Sequence, residues 1–384
     1  MKQIKKRLLL FVAVLAMVLP LVTFAKPTTA TTVSAATTSK NITVTDEAGA
    51  KVTVPKNSKR IAVVGIWPFS AVVTTFFNSA DRLVYMPEAS MTAAKNGLLG
   101  ELYPNITKVK TVNDNGGSTI NTEELKKSDP DIVFYPAENP KVKQQLTQAG
   151  FNAVGVSVGK WKGNTIETLN NWYGLLSKLY PNRQNRAKVV KNYSDKMYAR
   201  VQKQVKTIPA SKRKSVFILH QYTASTITSG GKASFAAYWA KAIGAKNVAN
   251  TAGKGNAMPV NAEQVYKWNP QVILVTNFTT AQPSDLYNNK IGNTDWSKVQ
   301  AVKNKQVYKM PLGMYRSYTP GVDTPLTLMW AAKTVYPSKF KNVNMVQEAK
   351  TYYKKAFNVT LTTKQAKAIF NPTSAAGKSA TSTN

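Results

Sequence analysis

The chain has 384 residues, enough for two domains with sizeable cores, and a formal charge of +34 from 52 Lys and Arg against 18 Asp and Glu. It contains no cysteine, which excludes disulfides, zinc–thiolate sites, cysteine nucleophiles and a lipid-bearing cysteine. The basic residues are spread along the whole sequence and not gathered in one stripe, so an anionic cell wall or membrane surface suits them better than nucleic acid.

Residues 1–7 (MKQIKKR) are basic and are followed by an apolar run interrupted by Pro20. This reads as a secretory signal peptide over 1–35, with Val33-Ser34-Ala35 at the cleavage site; an uncleaved membrane anchor is the alternative. An exported, cysteine-free chain rich in Lys and Asn is expected at the extracellular face of a Gram-positive membrane or wall. Residues 36–41 form a linker. Over 42–165 an N-terminal lobe is expected. It opens on the alternating hairpin ITVTDEAGAKVTV and the buried strand Arg60–Gly65. Helix Ala71–Phe77, strand Arg82–Tyr85, helix 122–128, strand 131–135, helix Lys141–Ala149 and strand Asn152–Val156 follow.

Residues 166–209 are a connecting helical segment. Ile166–Tyr180 is broken at Pro181, and the following stretch repeats Val189, Val190, Tyr193, Met197, Val201 and Val205 at helical steps. About 25 residues of helix reach nearly 40 Å, enough to bridge two domains. A C-terminal lobe is expected over 210–370, with strand Ser215–Leu219, helix Phe235–Ile243, strands Lys246–Ala249 and Gln306–Lys309, and closing helices Leu326–Tyr336, Asn344–Ala356 and Thr362–Phe370. Residues 371–384 read as a disordered tail. The expected fold class is α/β: two similar lobes, each a mostly parallel sheet flanked by helices, joined by a single long connecting helix.

One unit is written twice. Residues 121–134 (NTEELKKSDPDIVF) and 261–274 (NAEQVYKWNPQVIL) share Asn121/Asn261, Glu123/Glu263, Lys127/Lys267 and Pro130/Pro270. Each copy is a polar cap, a first-turn glutamate, a short helix, Asp/Asn-Pro and a buried strand. The duplication itself points to two similar lobes, each carrying one equivalent carboxylate.

Thr43–Arg60 followed by IAVVG resembles the opening of the iron-complex and vitamin B12 substrate-binding proteins of ABC importers, the helical-backbone class III type. The paired segments above, RAKVVKNYSDKM, and PLGMYRSYTPGVDTPLTLMWAAKTVYPSKF extend the resemblance over residues 42–370. It implies two lobes joined by one rigid helix, a ligand in the interlobe cleft and modest closure. A monomer is expected. It also implies that Glu123 and Glu263 dock onto arginines of a permease dimer. Both glutamates also suit a helix dipole at their first-turn positions. The implied cargo is a ferric siderophore, haem or a corrinoid such as cobalamin, with no covalent cofactor and no metal held by the protein.

Ligands in such sheets gather beyond the C-terminal strand ends. Here those are Gly65–Pro68, Met86–Glu88, Tyr135–Glu138, His220–Tyr222, Thr276–Phe278 and Gly313–Arg316. From them Trp67, Tyr135, His220, Tyr222, Asn277, Tyr315 and Arg316 are the candidate contacts. The rings suit a large flat ligand, and Arg316 suits a carboxylate or phosphate on it. For His220, the only histidine, and for Tyr222 and Tyr315, ordinary packing is the competing reading. A bare zinc or manganese site needs more histidines than one. Molybdate or tungstate on the same scaffold stays open, as does a basic wall-associated adhesin. No G-x-S-x-G, H-E-x-x-H or P-loop is present, so an enzyme is not expected.

Overall fold

The computed structural model describes residues 40–378 apart from 113–117 and 119. The expected signal peptide, the linker up to residue 39 and the end of the tail (379–384) lie outside the described residues.

The hairpin forms as read, with β1 (Asn41–Thr45) antiparallel to β2 (Lys51–Pro55). The first half then alternates β3 (Ile61–Val63), α1 (Phe69–Phe77), β4 (Leu83–Pro87), α2 (Glu88–Asn96), α3 (Leu98–Leu102), β5 (Lys110–Val112), α4 (Thr122–Lys126), β6 (Ile132–Pro136), α5 (Pro140–Gln148) and β7 (Ala153–Val156). These strands make one parallel sheet in the order β5-β4-β3-β6-β7. Two helices follow, α6 (Thr165–Leu179) and α7 (Gln184–Val205), separated by a 3-10 turn that starts at Pro181.

The second half comprises β8 (Ser215–Tyr222), β9 (Ile227–Ser229), α8 (Phe235–Ala242), β10 (Lys246–Asn247), β11 (Met258–Val260), α9 (Ala262–Trp268), β12 (Val272–Val275), α10 (Pro283–Tyr287), α11 (Gln300–Lys303) and β13 (Val307–Lys309). Three helices close the fold: α12 (Thr324–Val335), α13 (Met345–Phe357) and α14 (Thr363–Ile369). Strands β10, β8, β12 and β13 are parallel and adjacent in that order, matching β4-β3-β6-β7 of the first half. This sheet is mixed, because β9 and β11 add antiparallel strands that were not expected.

The written repeat is a structural repeat. Asn121 and Asn261 each cap their helix by accepting from the N3 amide. Asp129 (φ 41°) and Asn269 (φ 40°) both turn left-handed before the proline, a conformation that Asp and Asn tolerate. Asp131 then accepts from Arg60 N (2.9 Å) and Gln271 Oε1 from Ser215 N (3.1 Å). In both copies the residue after the proline therefore fastens the start of the neighbouring strand.

The largest apolar cluster runs through both halves, from Phe69 and Trp172 to Trp239 and Tyr352. Helix α7 buries Val190, Met197, Val201 and Val205 in it and packs against α6, α12 and α13. Val189 stays 38% exposed, one step outside that stripe. The expected tail is described as far as Lys378. Ser374–Gly377 form a 3-10 turn, and Gly377 lies so close to Thr279 that a Cβ would fall 2.2 Å from its carbonyl oxygen.

Candidate ligand-binding cleft

Beyond the C-terminal ends of β3, β8 and β12, aromatic rings from both halves meet. Trp67 follows β3, His220 sits near the end of β8, and Phe278 lies three residues past β12. The Trp67 and Phe278 rings are 6.2 Å apart, and His220 stacks on Phe278 at 5.0 Å. Tyr318, from the loop after β13, lies 5.1 Å from His220 and edge-on to Phe278. The Arg316 guanidinium stands 4.9 Å from the centre of Phe278 and 5.9 Å from that of Tyr315. A buried cation over a ring is stabilised by the ring's negative face.

Burial, helped by the Arg316 charge, pushes His220 down to about 4, so its imidazole is neutral at physiological pH. Its Nδ1 lies 3.3 Å from Thr228 Oγ1. The cluster thus offers ring faces, an uncharged imidazole and one fixed positive charge. Among the described residues no three histidine or carboxylate side chains converge to hold a metal ion.

Two buried ionisable groups hold the walls. Asp323 Oδ2 accepts from Met314 N (2.6 Å), and Asp323 Oδ1 accepts from the Tyr353 hydroxyl. Gly313 is required there, since a Cβ would lie 2.3 Å from the carboxylate. The same loop is tied to the first half by a main-chain bond from Leu98 N to Gly313 O (2.9 Å). Lys309 Nζ donates to Thr279 O (2.8 Å) and Ala281 O (2.7 Å), bracing the segment that carries Phe278. Burial brings Lys309 down to about 7. Between that value and its ordinary 10.5 the unfolded chain holds a proton that the folded protein has lost, so stability rises with pH over this range. Lys309→Met is expected to abolish that rise, measured by urea denaturation at pH 7, 8 and 9.

Trp67, His220 and Arg316 are therefore brought together, with Tyr315 alongside. Three candidate contacts sit elsewhere. Tyr222 is buried in the cluster on the other side of the sheet, donating to Ile291 O and accepting from Trp296 Nε1. The cause is a register shift between Leu219 and Gln221, which reverses the alternation expected from His220 to Tyr222. Tyr135 belongs to the layer with Val64 and Tyr85, facing away from the rings, because it alternates with the core residue Phe134. Asn277 is 1% exposed and donates from Nδ2 to Met310 O (2.8 Å) and Pro311 O (3.0 Å), joining the ends of β12 and β13. Phe278 and Tyr318 were not chosen from sequence. Phe278 stood beside Asn277 at the same strand end, and ring chemistry was the signal that favoured it.

Glu123 and Glu263 are exposed in the first turns of α4 and α9. Each helix leads through its Asp/Asn-Pro turn into a parallel strand, β6 or β12, so the two glutamates stand at equivalent positions of the two sheets. Glu123 has a solvent-exposed pairing with Lys126 at 3.1 Å.

Residues 87–312, more than half of the chain, match the family described as periplasmic binding protein. The chain belongs to that family. This binding protein is 24% identical over 338 residues to the molybdate-binding protein MolA of Haemophilus influenzae, covering 83% of this chain and 91% of MolA. It resembles the crystal structure of a periplasmic solute binding protein from Veillonella parvula with 27% identity and a TM-score of 0.76, covering 86% and 97% of the two chains. CeuE of Helicobacter pylori, solved with Ni(II) bound, is 21% identical with a TM-score of 0.69, covering 86% and 99%. Membership of a solute-binding family of this fold is what the sequence resemblance implied.

Proposed function

We propose that this binding protein captures an anionic metal chelate, a ferric siderophore or haem, between the rings of its cleft and delivers it to an ABC importer. The observation that carries this reading is the ring cluster itself, in which Trp67 and Phe278 come from opposite halves and Arg316 adds a buried positive charge. Flat or greasy ligands gain dispersion and burial from such walls, and the guanidinium selects those bearing carboxylate, catecholate or propionate. On this reading Glu123 and Glu263 are the two contacts to the permease dimer.

The test is the colour and metal content of protein purified from its own host, followed by titration of tryptophan fluorescence. A Soret band marks haem, and broad charge-transfer absorbance marks a ferric chelate. A corrin spectrum would replace the chelate reading with cobalamin. Arg316→Gln is expected to weaken chelate binding by about 2 kcal/mol, roughly thirtyfold. A second reading, molybdate or tungstate, is favoured by the similarity to MolA. Colourless protein that carries molybdenum or tungsten and is not quenched by ferric chelates would establish that reading instead.

A further inference from the structure

Away from the cleft, three adjoining concavities run along one face. The first, about 500 Å³, includes Lys333, Lys341 and Lys367 in its lining. The next, about 260 Å³, shares Lys341 and adds Arg200, Lys203 and Lys339. The third, about 290 Å³, shares Arg200 and adds Lys196 and Lys355. Glu348 is the one carboxylate in this lining, and Arg200 already neutralises it through bonds of 2.9 and 2.7 Å. What remains is a continuous recess walled by seven lysines.

We infer that this recess is a docking track for a linear phosphodiester polymer, the chemistry of an anionic cell-wall polyol phosphate. Charge complementarity selects a polyanion, because so many like charges in a connected groove repel one another until counter-charge fills it. The recessed shape selects a strand over a flat bilayer, which would touch only the rims. The exposed large apolar side chains among the described residues are Val189 and Tyr198, too few to anchor a membrane-inserting face. The track is also remote from the ligand. Helix α12 starts beside the loop that carries Arg316 and runs 12 residues, about 18 Å, before Lys339 and Lys341 are reached. A polymer held there leaves both the cleft and the Glu123/Glu263 rim uncovered.

The test compares the full chain with Lys196→Gln/Lys203→Gln/Lys341→Gln/Lys367→Gln and with Lys51→Gln/Lys56→Gln/Lys141→Gln/Lys303→Gln. Both variants lose four exposed positive charges, and the four track lysines chosen leave out Lys333 and Lys339, whose side chains bond Phe340 O and Thr207 Oγ1. Binding is measured to poly(glycerol phosphate), to a single-stranded DNA homopolymer and to phosphatidylglycerol vesicles across a salt series. The track variant is expected to lose at least tenfold in polymer affinity, with the salt slope flattened by about 3. The control variant should change less than twofold, and cleft affinity should be unchanged in both. Equal losses in the two variants, or tighter binding to DNA or vesicles than to the polymer, would overturn the inference.

Discussion

Glu123→Ala combined with Glu263→Ala is expected to reduce uptake by more than tenfold while the purified protein binds its ligand as before. Both carboxylates are exposed, in the first turns of the equivalent helices α4 and α9. The Lys126 pairing with Glu123 is too exposed to compete seriously with a guanidinium in a drier interface. Each single variant should retain part of the activity, since one contact of the pair survives. Uptake in whole cells and ligand titration of the isolated protein separate docking from capture. Normal uptake by the double variant would remove these two residues from the permease contact.

The second large effect is expected at Asp323. Burial raises its carboxyl from 3.8 to about 6, although the Tyr353 hydroxyl and the Met314 and Tyr315 amides pull the other way. Between pH 4 and 6 the folded protein therefore holds a proton that the unfolded chain has released. Stability falls as pH rises through that window, by about 3 kcal/mol in all, and this contribution is flat above it. The ionised carboxylate is thus costly, and what it supplies is acceptors for the loop that presents Arg316 and Tyr318. Asp323→Asn should erase the slope between pH 4 and 6 with little loss of stability at pH 7, yet weaken ligand binding at least tenfold. Asp323→Ala should be destabilised by about 3 kcal/mol or more, because buried donors lose their acceptor. Chemical denaturation at pH 4, 5, 6 and 7, paired with ligand titration, checks both. Full affinity in Asp323→Asn would mean that the loop keeps its place without the carboxylate.

Much of the architecture was readable because it rests on local chemistry. The Asn caps, the Asp/Asn-Pro turns and the runs Ile132–Phe134 and Val272–Val275 each announce themselves within a dozen residues. The duplicated unit pointed to two similar halves, and the two sheets do share the order of their four matching strands. Strands β9 and β11 were not readable, being three residues each and stabilised by pairing with distant partners. The cleft was half legible. Strand ends located it, but side-chain direction depends on register, and the shift after Leu219 moved Tyr222 to the far layer. Asn277 looked like a polar ligand contact and instead fastens two strand ends. The loop 312–323 could not be decoded from sequence, since Gly313 has meaning only once Asp323 lies against it.

The bond from Leu98 N to Gly313 O gives this protein a sewn edge. Gly97 is part of the same seam, since a side chain there would come within 2.6 Å of the Gly313 carbonyl oxygen. A receptor stitched through its main chain has almost the same silhouette empty and loaded, and its scattering profile should barely change on capture. On the proposed function, a membrane partner would then meet nearly the same surface before and after capture, and would have to sense the cargo itself.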